Sequence, residues 1–286
     1  MAMVEGREVR WRIGGSVLLL TLGSLVTLAP FLLVVPISLR PGHFIEGSLW
    51  PEQFSLEHWR AIMTWQGERP VLLWLWNSVK VSAISSALLV VLAAPPAYAL
   101  ARIRFRGRQQ LLEWTLILQS LPSVVGLFAF YAMWLRLKDY APGLADNGQY
   151  ALILIYAGHM LASTWLLRGY FQTLDPALEE AAVLDGANRW QTFLLVMLPL
   201  ALPMLTITFV LSFVRTFGDF IMPSALIAED QQQTLAVGLQ RFRQGHQIEW
   251  GTLAAAALLA AAPAVALFTL AQKALVSGMS AGSVKG

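Results

Sequence analysis

The sequence predicts an all-α integral membrane protein, and three observations carry that prediction. Of its 286 residues, 57% are hydrophobic and 13% are charged, with a mean hydropathy of +0.59. A soluble domain of this length carries about a quarter charged residues. The deficit is concentrated in continuous apolar runs, each near the ~20 residues a helix needs to cross the hydrocarbon core. Those runs do not alternate apolar with polar positions, which excludes a closed β-barrel, the other architecture that satisfies its backbone hydrogen bonds in lipid.

The runs fall at 13–37, 72–100, 111–135, 150–167, 197–227 and 251–276, about six spans within one transmembrane domain covering 1–286. Arg7, Arg10 and Arg12 precede the first run, as they would in a secretory signal. The run is far longer than the ~7–15 residues of a signal's apolar region and no small-x-small cleavage site follows, so it is expected to stay as a span. The fifth run exceeds one crossing, and its first part, up to Pro203, is expected to belong partly to the preceding loop. Two connections, 38–70 and 228–250, are long enough to be more than turns. In the first, Trp50, Phe54, Trp59 and Trp65 form either an interfacial aromatic belt or a partner-contacting surface.

Lys and Arg in the connections set the orientation. Arg102, Arg104, Arg106 and Arg108 cluster after the second run, Arg168 and Arg189 fall between the fourth and fifth, and Lys273 and Lys285 follow the sixth. On the other side Arg40, Arg60, Arg69, Arg136, Lys138, Arg241 and Arg243 are mixed with acids such as Glu46, Glu52, Glu68, Asp139 and Glu249. The arginine-dense side is expected to be cytoplasmic, with both termini inside a bacterial cytoplasmic membrane.

Several chemistries drop out. The net charge of +3, despite a pI near 9.4, and the topological placement of the arginines give no basis for nucleic-acid binding. Cysteine is absent, which excludes disulfides and thiol chemistry. His43, His58, His159 and His246 are scattered without metal-ligand spacing, so no metal site is expected. Ser163 and Thr164 lack a nucleophile-elbow context. No G-x-x-x-x-G-K-[ST] sequence occurs, so the chain has no phosphate-binding loop for ATP and any ATP-derived energy must come from a partner.

The segment 175–191 reads as helix, turn, helix. Asp175 is placed to cap the first helix, Pro176 fits its start, and Glu179 and Glu180 lie near the positive end of its dipole. Gly186 suits the left-handed turn that ends a helix, and Asn188 with Gln191 forms a capping box for the second. Leu178, Ala181, Ala182 and Leu184 offer a compact, partly apolar surface.

Glu180-Ala181-Ala182, then Gly186, then Val196 and Leu198-Pro199 at fixed spacing resemble the EAA loop of ABC importer permeases, with Val196 where that family usually has Ile. The resemblance extends over nearly the whole chain and narrows to the G-type permease subunit of maltose/maltodextrin importers. It is carried by 47–53, 71–81, 178–186, 234–238 and the terminal Ala281-Gly282-Ser283-Val284-Lys285-Gly286. The stretch between Trp65 and Pro70 is shorter than in enteric relatives.

That resemblance implies a type I ABC importer permease fold, translocating maltose or maltodextrins by alternating access. It implies an F-type permease partner in a heterodimer, two copies of a cytoplasmic ATPase, a periplasmic maltose-binding protein and the surrounding membrane lipid. It places ATP and magnesium on the ATPase, leaves this chain non-catalytic and without a cofactor, and puts the intramembrane sugar site mostly or wholly on the F-type partner. It assigns 169–196 as the cytoplasmic coupling loop, with Glu180, Ala181, Ala182, Asp185, Gly186, Leu198 and Pro199 as its key positions. The outer loop is similar to one that contacts the binding protein, with Arg241, Phe242, Arg243, Gln244, Gly245, His246 and Gln247 at its tip. The tail 277–286, through Gly282, Ser283, Val284, Lys285 and Gly286, resembles one that inserts at the ATPase interface.

Outside the family pattern, Arg215 and Asp219 lie four apart on the fifth run. At helical spacing they are expected to form an intramembrane ion pair lining the interface with the partner permease. The cargo stays open at this point between maltodextrins and trehalose or another glucoside. An ATPase-independent membrane protein is the reading from a different class.

Overall fold

The computed structural model describes residues 6–42, 50–120, 123–140, 147–243 and 248–281. Among them all regular structure is helical. The chain divides into two compact units, Met1–Arg69 with Leu239–Leu259, and Pro70–Gly238 with Ala260–Gly286.

In the first unit, α1 (Gly6–Ser38) is apolar on every face, and its side chains from Ile13 to Leu33 are exposed, as suits a helix surrounded by lipid. The hydroxyls of Thr21 and Thr27 donate to the carbonyls of Val17 and Gly23 at 2.8 Å, so neither polar group is left bare. The short α2 (Glu57–Ile62) is pinned by the buried His58. Its Nε2 lies 2.9 Å from the Arg40 carbonyl and 3.1 Å from that of Gly42, two groups that only accept, so Nε2 carries the proton. Nδ1 then accepts from the Thr252 hydroxyl at 3.0 Å. Gly251 lets this ring approach, because a Cβ there would fall 2.1 Å from His58 Nε2. Beside it, Arg69 pairs with Glu249 and holds its guanidinium 5.0 Å from the centre of the buried Phe242 ring.

The second unit is built around α3 (Val71–Arg102). Its buried face is rich in small and polar residues, with Asn77, Ser78, Ser82, Ser85 and Ser86 towards one end and Ala93, Ala94 and Ala97 towards the other, beside the larger Trp74, Val81, Leu89 and Tyr98. Such residues let neighbouring helix backbones approach closely in a membrane, where hydrophobicity gives no drive for helices to associate. Against α3 pack α6 (Gly148–Gly158), α7 (Met160–Thr173) and α10 (Leu202–Phe217). The α6–α7 pair forms one span, Gly148–Thr173, interrupted at His159.

The expected run 111–135 is two helices, α4 (Arg108–Ser120) and α5 (Ser123–Tyr140). Pro122 falls at the junction in the sequence, and proline both lacks an N–H and disfavours helix at the residue before it. The run 197–227 is also reshaped. Residues 189–200 form α9 (Arg189–Leu200), which contains a π turn at Thr192–Met197 and meets α10 at a 71° bend. Pro199 and Pro203 flank that bend. The expectation that residues up to Pro203 belong partly to the preceding loop thus becomes a helix on a different axis. Among the described residues four helices are long and apolar enough to cross a membrane, or up to five with the bent pair counted as one.

After α11 (Ile221–Leu226), residues 229–238 fold back onto the Val71 end of α3. Trp74 donates its indole N–H to the Asp230 carbonyl at 2.9 Å, Asn77 donates to the carbonyls of Gln231 and Gln233, and Ser78 Oγ accepts the Leu235 N–H at 2.8 Å. Non-helical backbone is thereby supplied with partners from the helix beneath it. Gly238 ends this clamp, since a Cβ there would sit 2.2 Å from Trp74 Cε3.

Two clusters form the core of this unit. One joins Val81, Trp134, Leu152, Tyr156, Met222 and Leu226; the other joins Ala93, Ala97, Tyr98, Leu167, Phe171, Phe193 and Met197. Gly238→Val is expected to force the fully buried Trp74 aside, at a cost of about 1–3 kcal/mol from overpacking. In detergent thermal unfolding this variant should melt below the native protein. Gly169→Ala, with open space around its would-be Cβ, should not; equal melting of the two would contradict the clamp.

Candidate functional site

The segment 175–191 is assembled by local rules. Asp175 Oδ1 accepts the Ala177 N–H at 3.0 Å and starts α8 (Ala177–Leu184). The helix ends with Ala187 N–H bonded to the Ala182 carbonyl at 2.9 Å and Gly186 N–H to that of Val183 at 3.0 Å. This nested pair requires a left-handed residue, which Gly186 supplies at φ +86°. Asn188 and Gln191 form the reciprocal capping box, with side-chain to backbone distances of 2.8 and 3.0 Å in the two directions. The turn between the two helices is fixed by its own residues before anything docks on it.

What faces outward differs from the expected surface. Ala182 turns inward, and α8 packs on the π turn at Thr192–Met197. The expected Leu178, Ala181 and Leu184 are exposed, Leu184 at 88%, and Val183 and Trp190 join them, with Glu180, Asp185 and Gly186 exposed beside them. Leu198 is half-buried and Pro199 exposed, both near the bend between α9 and α10.

Sequence reasoning missed the residues that brace this segment. The sequence puts Glu179 near the positive end of the helix dipole, and in the fold its carboxylate also pairs with Arg102 Nε at 2.9 Å and accepts from the Tyr98 hydroxyl at 3.3 Å. Arg102 also donates to the Leu174 carbonyl, just before α8. The start of the loop's first helix is thereby tied twice to the last turns of α3. From the sequence alone Arg102 bears only on orientation. The one sequence signal was an acid that the loop's exposed face did not need.

The outer-loop residues part company. Phe242 is buried under the Arg69 guanidinium, so it is an anchor rather than an exposed contact, a correction that follows from the gain of covering an aromatic ring. Arg241 donates to the Glu68 carbonyl at 3.4 Å, and Arg243 is exposed. Gln244, Gly245, His246 and Gln247 lie outside the described residues, as do Gly282, Ser283, Val284, Lys285 and Gly286.

Arg215 and Asp219 line one cavity of about 470 Å³ together with Tyr156, His159, Ser163 and Ser212. The expected ion pair between them does not form. Their four-residue spacing brings side chains together only within a continuous helix, and α10 ends at Phe217. Asp219 lies beyond that end, where Oδ1 accepts the Ile221 N–H at 2.9 Å to start α11 and Oδ2 accepts the Tyr156 hydroxyl at 2.8 Å. Among the described residues no group of His, Asp and Glu is placed to hold a metal ion.

Glu179→Ala removes the ion-pair partner of Arg102 and the charged acceptor of the Tyr98 hydroxyl, a loss of about 1.5–3 kcal/mol. Hydrogen–deuterium exchange should show faster amide exchange across 177–187 in this variant than in Glu180→Ala, whose carboxylate is exposed. Equal exchange in the two would mean that the Arg102 contact does not hold α8.

Comparison with known proteins follows the same lines. Residues 86–281 match the family described as the binding-protein-dependent transport system inner membrane component. The maltose/maltodextrin transport system permease protein MalG of Escherichia coli (strain K12) is 44% identical over 296 aligned positions. Those of Photorhabdus laumondii and Vibrio vulnificus (strain YJ016) are 43% and 42% identical, and in all three alignments both chains are covered in full. A chain from the crystal structure of a bacterial ABC transporter involved in the import of the acidic polysaccharide alginate superposes with a TM-score of 0.76 at 20% identity. It covers 94% of this chain and 98% of its own length, a likeness of fold alone. This chain therefore belongs to the inner-membrane permease family of binding-protein-dependent transport systems.

Proposed function

We propose that the chain is the G-type permease subunit of an ATP-driven importer of maltose and maltodextrins, working as a heterodimer with an F-type permease. Two copies of a cytoplasmic ATPase bind and hydrolyse ATP with magnesium, and a periplasmic binding protein delivers the sugar. The full-length similarity to maltose/maltodextrin permeases supports the cargo. The observation that carries the mechanical role is α8, a pre-capped helix with an exposed apolar face and a charged brace onto α3.

In this reading the Arg102 end of α3, α8 and both termini face the cytoplasm. Leu178, Val183, Leu184 and Trp190 dock into a cleft of the ATPase, with Glu180, Ala181, Asp185 and Gly186 around them. When ATP closes the ATPase pair, α8 moves with it. The Glu179–Arg102 contact then passes the displacement into α3 and the helices packed on it, the rigid-body class of transition. A loop that flexed on its own would absorb the stroke. The Schellman turn, the capping box and the charged brace all oppose that flexing. Leu198 and Pro199, near the bend, place a second helix axis under the same loop. The tail 277–286 and the outer loop 241–247 serve the ATPase and the binding protein respectively.

The test is sugar-stimulated ATP hydrolysis by the chain reconstituted with its partner permease, ATPase and binding protein. Maltose should stimulate, and Gly186→Val should abolish the stimulation. A β-branched side chain at φ +86° costs about 1–2 kcal/mol in the turn that shapes α8. Stimulation by trehalose alone would keep the machine and replace the cargo, while full maltose coupling in Gly186→Val would refute the role given to the loop.

A further inference from the structure

The arginine-dense end of the second unit holds a cavity that the coupling role does not use. It has a volume of about 520 Å³ and lies at the corner where α3 gives way to α4. Arg104, Phe105, Arg108 and Gln110 line it from that corner, and Arg168 reaches it from α7. The size falls within the ~300–1,000 Å³ typical of small-molecule sites.

Two of its guanidiniums are fixed in place. Arg108 donates from Nε to the Leu100 carbonyl at 2.9 Å and from Nη2 to the Ala101 carbonyl at 3.4 Å. Arg168 donates from Nε to the same Leu100 carbonyl at 3.4 Å. Its guanidinium also lies 4.9 Å from the centre of the Trp165 ring, whose indole N–H donates to the buried Thr115 hydroxyl at 2.8 Å. The negative carbonyl end of α3 thus draws both cations to one point. Each guanidinium has five N–H donors, so most of them remain for another acceptor.

No acid answers this charge. Among the described residues Arg104, Arg108 and Arg168 form no ion pair. Glu179 is committed to Arg102, and Glu113 on α4 is exposed and accepts from Gln109 Nε2 at 3.1 Å. Membrane orientation asks for basic residues on this side, but not for a pair of them pinned around a cavity. Two like charges held on a shared acceptor repel, and an anion seated between them relieves that repulsion.

The same corner selects the anion. Leu111, Trp114 and Leu118 recur at helical spacing along α4 and are all exposed. The apolar run expected to enter the membrane begins at 111, which sets the cavity at the level of lipid headgroups. A free phosphate or an acidic peptide would use the arginines and leave the apolar strip without a role. A phospholipid uses both, with its phosphate on the planar guanidinium forks and its acyl chains along the strip. A choline or ethanolamine headgroup would bring a further cation to a cavity that already holds three, so the lipid should carry net negative charge.

We propose that this cavity binds the headgroup of an anionic phospholipid, with Arg108 and Arg168 as paired donors to its phosphate. The site concerns the membrane around the chain and is independent of the sugar that the importer carries.

The experiment is native mass spectrometry of the purified full chain, titrated with phosphatidylglycerol or with phosphatidylcholine of the same acyl chains. The native chain should bind phosphatidylglycerol about tenfold more tightly. Arg168→Gln, Gln110→Glu and Arg106→Gln each lower the net charge by one. The first two alter the cavity lining, whereas the exposed Arg106 lies outside it. Arg168→Gln and Gln110→Glu should each weaken phosphatidylglycerol binding about tenfold, and Arg106→Gln by less than about twofold. Equal weakening in all three overturns the site, because charge alone would then attract the lipid. Equal binding of the two lipids by the native chain also overturns it. Displacement of bound lipid by inorganic phosphate at the lipid's own concentration does so too, since the cavity would then hold a free anion. Should Arg168→Gln fail to give a monodisperse protein in size-exclusion chromatography, Gln110→Glu decides alone, because it leaves both arginines in place. The measurement involves no sugar and no ATPase, so its failure leaves the importer reading standing.

Discussion

The ion pair between Arg102 and Glu179 is the contact on which the rest of the account depends, because it joins the exposed, pre-shaped α8 to the helix around which the second unit is built. Two features make it more than a surface pair. Both side chains are largely covered, and each has a further polar partner, the Tyr98 hydroxyl for Glu179 and the Leu174 carbonyl for Arg102. An exposed pair contributes little and is screened by salt. A covered pair fixes geometry, since breaking it leaves a charge without a partner. Around it Tyr98, Phe171 and Phe193 meet ring to ring, at centroid distances of 5.0 to 6.5 Å, and form a stiff base.

A second constraint shapes everything else: in a membrane every backbone polar group must find a partner inside the protein. Where the chain leaves helical geometry, a specific device supplies those partners. Residues 229–238 borrow them from Trp74, Asn77 and Ser78. Asp219 supplies one at the start of α11, and Asn147 accepts the Gln149 N–H at the start of α6. The irregular places are therefore the polar places. The clamp over α3 and the mid-span cavity beside His159 and Asp219 are two instances of the same rule.

How much of this was legible in the sequence depends on how local each feature is. Gly186 and the Asn188–Gln191 box were readable because their partners lie within four residues, and turn chemistry over that range is nearly independent of tertiary structure. The all-helical membrane class followed from composition. The brace was not readable, because nothing in the text of a sequence joins Arg102 to Glu179 until the fold brings them together. The Arg215–Asp219 expectation failed for an instructive reason: the spacing rule assumed an unbroken helix, and the break between them turned Asp219 into a cap. Phe242 anchors its loop rather than standing at its tip, because its cover, the Arg69 guanidinium, comes from a distant part of the chain.

The central claim is that α8 and α3 move as one body when the ATPase closes. The chain has no cysteine, so two can be introduced without background labelling. Spin labels at the exposed positions Ala177 and Val91 would report the α8–α3 distance by pulsed electron resonance, in the assembled complex with and without a non-hydrolysable ATP analogue. The account predicts the same distance distribution in both states. It also predicts a broadened distribution once Glu179→Ala removes the brace. A shift of several ångströms between the two nucleotide states in the native background would mean that α8 slides over α3, and that motion enters the membrane helices by another route.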